Sequence, residues 1–377
     1  MRARKAEQIS QILFNGVDFR SALLEAAAAA SIMNSPEHGF PSQTREEPEE
    51  SEEPEEPEDL DIADHGTTLD DLNEVFTPTV TPTDQNIPSI VYRVFDEESQ
   101  SQLFNGAIRS GLFGERRRGI TTALSVEDEL FDVFAENHFW YHKKGGPFIS
   151  VTSSLLWAIS IAVRSERAGR HPFIAVIDMG SLGSFWPASE VISGLREKGE
   201  FSEMTFQGVF EFLVWGEIRN SSILHVFPFS QLRELVRNNS AVQATLRLDC
   251  FQPRVLWTHK KLITSRLEIN HSTAGAIGSI ANIFGLSYGS EKMLWDFVSG
   301  VCQGWGLIAP EDNIAMEDLG TAFASSLDSH TQRRCLSEAD YDEPRNAFIT
   351  GAMNGRNLLK QMLAWSSGNR ASKRRPT

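Results

Sequence analysis

Three short apolar runs, each with one polar residue in its interior, constrain this chain more than any other feature. Runs of this length that are rich in β-branched and aromatic residues predict strands. Burying a lone cation or carboxylate in a strand costs free energy unless that group is paired or used. The polar residues are Arg93, Ser150 and Glu211, in that order, and we expect a functional site where their strands meet. The runs are residues 90–95 (IVYRVF), 147–152 (PFISVT) and 209–215 (VFEFLVW).

The negative charge of the chain is concentrated in one segment. Residues 46–74 contain 15 acidic residues and no Lys or Arg, and they account for all but about one unit of the formal net charge of −16. The remainder is near neutral, so it has no basic field that would favour nucleic acid as a partner. Repeated Glu-Glu-Pro and Thr-Pro with few large apolar side chains cannot offset the entropy of ordering. Residues 35–86 are therefore predicted to be a disordered, acidic, Pro-rich linker.

The spacing of apolar residues and the distribution of charge divide the rest of the chain into four further parts. Residues 1–34 have apolar side chains at helical spacing followed by an alanine run, which predicts an N-terminal helix. Residues 87–237 mix strand and helix patterns, whereas residues 238–368 show helix patterns alone. Residues 369–377 form a short basic tail. We therefore predict an α+β fold with an all-α C-terminal extension.

The mixed part is predicted in more detail from periodicity and capping residues. Strands are expected at residues 88–95, 148–152, 173–179, 209–218 and 224–227. Helices are expected at residues 99–110, 125–141, 155–167, 189–198 and 230–236. In the C-terminal extension, helices are expected at residues 240–249, 253–267, 273–285, 290–302 and 345–365.

The number of cysteines and the hydropathy of the chain indicate in which cellular compartment it is expected. Cys250, Cys302 and Cys335 are few, widely spaced and odd in number, so they predict neither a disulfide framework nor a metal site. They are typical of reduced thiols in an intracellular protein. The N-terminus lacks the apolar core of a secretory signal, and no window of roughly 18 clean apolar residues predicts a membrane span. We expect a location in the cytoplasm or nucleus and no contact with a membrane.

The local context of the three polar residues resembles a known family. The first strand contains Tyr92-Arg93, the second continues as ISVTSSLLWA from residue 149, and the third runs from Glu211 through Gly216-Glu217-Ile218. This order resembles the Arg–Ser–Glu signature of the ADP-ribosyltransferase toxin superfamily, in particular the catalytic chains of cholera toxin and heat-labile enterotoxin. It is also similar to uncharacterised domains of filamentous fungi. The resemblance covers about residues 88–230.

The resemblance implies a split β-sheet core with flanking helices, and NAD as the substrate. In that family's chemistry, Glu211 would hold the ribose 2′-hydroxyl and stabilise the oxocarbenium-like ribose that forms as nicotinamide leaves. Arg93 would hold the dinucleotide through a phosphate or ribose, and Ser150 would fix the strand geometry beside Glu211. Thr152 shares a strand face with Ser150 and is a further binding candidate. Phe206, together with Phe201, is expected to flank nicotinamide or the target.

Two departures from the family pattern narrow the activity. Transferases that modify arginine carry Glu, and several others Gln, two positions before the catalytic Glu, where this chain has Val209. The central Thr of the Ser-Thr-Ser motif is replaced by Val151. Arginine modification is therefore disfavoured, whereas ADP-ribosyl transfer to another acceptor or NAD glycohydrolysis remains. The alternative is a catalytically silent recognition or scaffold module whose helices bind a protein partner, with Arg93 and Glu211 as a structural ion pair.

Overall fold

The structure, a computed structural model, describes residues 87–114, 122–140, 146–199, 206–252, 255–286, 290–328 and 341–373. Several of the predicted features lie outside the described residues: the N-terminal helix at residues 1–34, the linker at residues 35–86, Phe201, and residues 374–377 of the basic tail.

The apolar runs form an antiparallel sheet of six strands, which confirms the α+β class. The strand order is β6-β7-β4-β1-β5-β9, so the strands that carry Arg93, Ser150 and Glu211 (β1, β4 and β7) are consecutive neighbours. These six strands are β1 (Ile90–Phe95), β4 (Phe148–Thr152), β5 (Phe173–Asp178), β6 (Phe185–Pro187), β7 (Glu211–Trp215) and β9 (Ile223–Pro228). A smaller sheet contains β2 (Gln102–Phe104), β3 (Ala107–Arg109) and β8 (Glu217–Ile218).

The described residues also contain ten α-helices, and seven of them follow the last strand. Those between the strands or directly after β9 are α1 (Glu129–Phe139), α2 (Leu155–Arg167), α3 (Ala188–Glu197) and α4 (Phe229–Asn238). The C-terminal region contains α5 (Ser240–Leu246), α6 (Val255–Thr264), α7 (His271–Ile283), α8 (Glu291–Trp305), α9 (Asn313–Asp328) and α10 (Asp342–Lys373). The helical extension predicted after residue 238 is therefore confirmed, although α9 was not predicted.

Both faces of the sheet are buried, because successive side chains of β1 point alternately into two hydrophobic cores. Val91 and Phe95 lie in one core with apolar residues of β4, β5 and β7. Ile90, Tyr92 and Val94 lie in a second core that they share with α2 and the C-terminal helices. Fully burying one aromatic or large aliphatic side chain stabilises a fold by about 1.5–3 kcal/mol. The C-terminal helices are thus packed directly on the strands that carry the polar residues.

The helix predicted at residues 99–110 is wrong, because this segment forms the hairpin of β2 and β3. Asn105 and Gly106 occupy its turn with φ of 50° and 81°. Positive φ at both central residues is the backbone of a type I′ turn, for which Asn-Gly is the favoured pair. Pairing of Ile108 with Ile218 then adds the hairpin to β8. Tertiary pairing therefore overrides the helix propensity of this segment.

The strand predicted at residues 209–218 is divided into three pieces. Val209 lies in a turn, where the Glu211 amide donates to the Gly208 carbonyl oxygen at 3.0 Å, and β7 begins only at Glu211. Gly216 has φ of 73° and ends β7, so that β8 joins the other sheet. Although Val209 is two positions before Glu211 in the predicted strand, it does not share a strand face with Glu211, since strand alternation does not extend through a turn.

Close backbone contacts between the C-terminal helices depend on glycine. A Cβ added to Gly278 of α7 would lie 2.3 Å from the Phe323 carbonyl oxygen of α9. A Cβ on Gly355 of α10 would lie 2.5 Å from the Cβ of Cys302 in α8. A side chain at either position would force the two helices apart, so these glycines set the spacing of the helix pairs.

Candidate functional site

Strand register brings Ser150, Thr152 and Glu211 to one face of the sheet. Ser150 and Thr152 are two apart on β4 and so point the same way, and Glu211 is directly opposite Thr152 on β7. The flanking backbone bond, from the Ser153 amide to the Phe210 carbonyl oxygen at 2.9 Å, makes Thr152–Glu211 a non-hydrogen-bonded pair. Side chains in such pairs are closest, with Cα atoms about 4.5 Å apart. The carboxyl of Glu211 therefore lies beside the β4 face that carries Ser150.

Arg93 reaches the same place through a gap between β1 and β4. These strands share one register pair, Tyr92 with Thr152, and the rest of each strand is not paired with the other. In the register of β4 and β7, the Ser150 carbonyl points away from β7 and towards β1. Arg93 Nη1 donates to this carbonyl oxygen at 3.0 Å. The guanidinium thus occupies the position that a neighbouring strand amide would take in a continuous ladder.

A fourth residue, His138 of α1, belongs to the site and was not among the predicted site residues. Its Nε2 lies 2.6 Å from Ser150 Oγ. Burial, and secondarily the positive charge of Arg93, lower the pKa of His138 to about 4, so the ring is neutral near pH 7. The available signal was helical spacing: His138 follows Phe131, Phe134 and Ala135 on the buried face of α1. An imidazole on an otherwise apolar stripe indicates a polar partner across it.

The four side chains form a chain of electrostatic interactions. Burial raises the pKa of the Glu211 carboxyl, while a hydrogen bond from the Ser150 hydroxyl and the charge of Arg93 act to lower it. Burial lowers the pKa of Arg93, opposed by Glu211 and Asp96. If Ser150 donates to the Glu211 carboxylate, its oxygen accepts from His138, which assigns the Nε2–H tautomer. Hydrogen bonds are then donated from His138 to Ser150 and from Ser150 to Glu211.

The cation and the carboxyl of this site are close but are not joined as an ion pair. Among the described residues, no contact within 4.0 Å connects a nitrogen of Arg93 to an oxygen of Glu211. Arg93 Nε is buried, and none of the described residues accepts from it. Arg93, Ser150, His138 and Glu211 all keep partial exposure to solvent. This arrangement argues against the structural ion pair and leaves donor and acceptor capacity for a ligand.

The two other predicted binding residues lie near the site in supporting positions. Thr152 is buried, and its Oγ1 accepts from the Ser154 amide at 3.1 Å where α2 begins. Phe206 packs against Phe139 with ring centroids 6.2 Å apart, next to His138 in the chain. Thr152 therefore orders the strand-to-helix turn, whereas Phe206 is held against the helix that carries His138.

Two further observations concern the described residues. None of their His, Cys, Asp and Glu side chains gathers in groups of three or more that could hold a metal ion. None of their helices has the length and apolar character needed to cross a bilayer.

Comparisons with known proteins identify a family match over part of the chain. Residues 86–232 match the family model described as a domain of unknown function, DUF7587. No curated protein and no solved structure matches the chain. The matched segment runs from β1 into the first turn of α4, so it includes Arg93, His138, Ser150 and Glu211. It excludes α5 to α10, although these helices share a hydrophobic core with β1.

The depressed histidine pKa values give a pH-dependent stability. His259 of α6 is buried, its Nε2 lies 3.2 Å from the Gln303 carbonyl oxygen, and its pKa is also lowered to about 4, mainly by burial. An unfolded histidine titrates near 6.5, so below that pH the unfolded chain binds protons that the folded chain does not. We expect the free energy of unfolding to fall between pH 6.5 and 4, by up to a few kcal/mol for each buried histidine.

Urea denaturation at pH 7, 5.5 and 4.5 measures this dependence. His259→Gln is expected to flatten it, because the replacement has no proton to bind. A wild-type stability that rises as the pH is lowered over this range would contradict the prediction.

Proposed function

We propose that the chain binds NAD at this site and cleaves the bond between nicotinamide and ribose. The observation that carries the proposal is the convergence of Arg93, Ser150 and Glu211 from three separate strands, with the guanidinium and the carboxyl close together but unpaired. Cleavage breaks the bond from ribose C1′ to the nicotinamide nitrogen, and the bonding electrons leave with neutral nicotinamide. An acceptor hydroxyl or water then attacks C1′ and loses its proton.

Glu211 would stabilise the positive charge that develops on the ribose. A carboxylate in a partly buried site interacts with such a charge more strongly than it would in water. The raised pKa of Glu211 fits this role, because a cationic nicotinamide ribosyl group would compensate for the burial that disfavours the ionised form. Ser150, held by neutral His138, would keep the carboxylate in one orientation as the charge appears.

Arg93 would bind the anionic part of the dinucleotide. Its planar guanidinium can donate two parallel hydrogen bonds to phosphate oxygens, and its charge is permanent. The bond from Nη1 to the Ser150 carbonyl oxygen fixes the plane of the group and leaves Nε and Nη2 for a ligand. Preorganisation of this kind reduces the ordering entropy lost on binding.

The surroundings favour an acceptor other than arginine. The turn before β7 carries Val209 at the position where the arginine-modifying transferases that the motif resembles have a carboxylate, so the chain lacks that acceptor base. Val151 is buried in the core on the opposite face from Ser150, so its replacement of a Thr does not alter the polar face. We propose transfer of ADP-ribose to a different protein acceptor, or to water as NAD glycohydrolysis.

The second candidate is a catalytically silent module that binds a protein partner through its helices. It is supported by large apolar side chains exposed in the C-terminal region, among them Trp257 at 58% and Ile314 at 79%. A silent module is expected to bind its partner without NAD and to release no nicotinamide.

Calorimetric titration of the full chain with NAD tests the binding step. Arg93→Lys keeps the charge but loses the planar fork, and we expect its Kd for NAD to rise on the order of tenfold or more. Arg164→Lys is the matched control, because Arg164 lies over the ring of Trp157 on α2 and carries no site contact. Equal affinities in wild type and Arg93→Lys, or no saturable binding by wild type, would overturn the proposal.

A further inference from the structure

One carboxylate of the C-terminal helices binds the residue that precedes β1. Asp296 of α8 accepts two hydrogen bonds at Oδ2, from the Ser89 amide at 2.6 Å and from the Ser89 hydroxyl at 2.5 Å. The Ser89 carbonyl oxygen in turn accepts from the Met179 amide at 2.9 Å. Hydrogen bonds to an ionised acceptor are among the stronger ones in proteins. The residue that precedes β1 is therefore fixed between the sheet and α8.

A second contact follows three residues along the chain. The buried ring of Tyr92 meets Phe284, directly after α7, edge to face with centroids 5.9 Å apart. Burial and, secondarily, the charge of Asp296 raise the pKa of Tyr92. Tyr92 is also the β1 residue that pairs with Thr152 of β4, and Arg93 is its neighbour. The helices thus hold β1 at the point that sets its register against β4.

The numbers of paired positions indicate where a loosened β1 would move. β1 pairs with β5 at six positions but with β4 at one. Loss of the Asp296 contact would leave β1 in the sheet through β5, while its junction with β4 would relax first. That junction is where Arg93 Nη1 reaches the Ser150 carbonyl oxygen.

We infer that Asp296 is a positioning residue, through which the C-terminal helices hold Arg93 in the geometry that binds the dinucleotide. This inference rests on the proposed function for its ligand, and on the contacts of Ser89 and Tyr92 for its geometry. The C-terminal helices, which lie outside the matched family region, would then be needed for the geometry of the site.

Two measurements on the full chain test this role, with Asp296→Ala as the variant. Hydrogen exchange without NAD should show faster exchange in the amides of β1 and β4, and calorimetry should show a Kd for NAD raised on the order of tenfold. Asp296→Asn, which retains an acceptor oxygen, should restore part of the affinity. Glu166→Ala is the matched control, because Glu166 Oε2 also holds a partner distant in sequence: it accepts a hydrogen bond from Arg233 Nε at 2.8 Å and lies 2.6 Å from Arg233 Nη2, away from the site.

The outcomes separate the inference from the proposed function. Unchanged exchange in β1 and β4 of Asp296→Ala would overturn the positioning role, and so would faster exchange with an unchanged Kd for NAD. A Kd raised equally by Glu166→Ala would show a general loss of stability and would overturn it as well. If wild type does not bind NAD, the proposed function fails, and the exchange comparison alone decides whether Asp296 orders the β1–β4 junction.

Discussion

Glu211→Gln is expected to lower the rate of nicotinamide release on the order of 10²–10³-fold, while NAD binding and the fold are retained. The amide has the shape and an acceptor oxygen of the carboxylate but lacks the charge that, in the proposed reaction, would stabilise the oxocarbenium-like ribose. Stability should not fall, because burial disfavours the ionised carboxyl and a neutral amide avoids that cost. Chromatographic quantification of nicotinamide, with NAD in excess, measures the rate.

Glu217→Gln is the matched control for this variant. Glu217 begins β8 and pairs with Arg109 at 2.8 Å, six residues after Glu211 but in the other sheet. It is expected to release nicotinamide at the wild-type rate. Wild-type turnover in Glu211→Gln would refute the assignment of Glu211 as the residue that stabilises the transition state.

Gly278→Leu is expected to be the most destabilising substitution, costing at least about 3 kcal/mol of unfolding free energy. The new Cβ would meet two backbone atoms, the Phe323 carbonyl oxygen at 2.3 Å and the Leu327 nitrogen at 3.1 Å. Neither atom can move without separating α7 from α9. Because α7 and α9 belong to the core shared with β1, the loss should affect the whole folded unit.

Urea denaturation compares this variant with Gly300→Ala in α8. Gly300 has no heavy atom within 4 Å of an added Cβ, so Ala there should be neutral or stabilising by about 0.5–1 kcal/mol. If Gly278→Leu and Gly300→Ala unfold at the same urea concentration, the close approach of α7 and α9 is contradicted.

The strands of the site could be predicted because their signal is local. A polar residue within a short apolar run is visible without knowledge of its neighbours, so Arg93, Ser150 and Glu211 were identified together. His138 was not, because a position on the buried stripe of α1 is ordinarily filled by a core residue. Only the distance of 2.6 Å between His138 Nε2 and Ser150 Oγ of β4 distinguishes His138 from an ordinary core residue.

The remaining errors concern features that depend on a partner distant in sequence. The hairpin at Asn105 acquires strand structure by pairing with β8, more than a hundred residues later. The need for glycine at position 278 arises only from the close packing of α7 against α9, and the sequence patterns did not predict α9. The bond from Ser89 to Asp296 joins residues 207 apart, and no periodicity encodes it. Such contacts are set by the packing of whole elements.

Incubation of the wild-type chain with NAD carrying one label on nicotinamide and another on the adenylate tests the central claim most directly. The account predicts release of labelled nicotinamide, with the adenylate label appearing as free ADP-ribose or on a protein acceptor, and loss of both signals in Glu211→Gln. Intact NAD recovered in full from a folded wild-type chain, with no saturable binding, would contradict it.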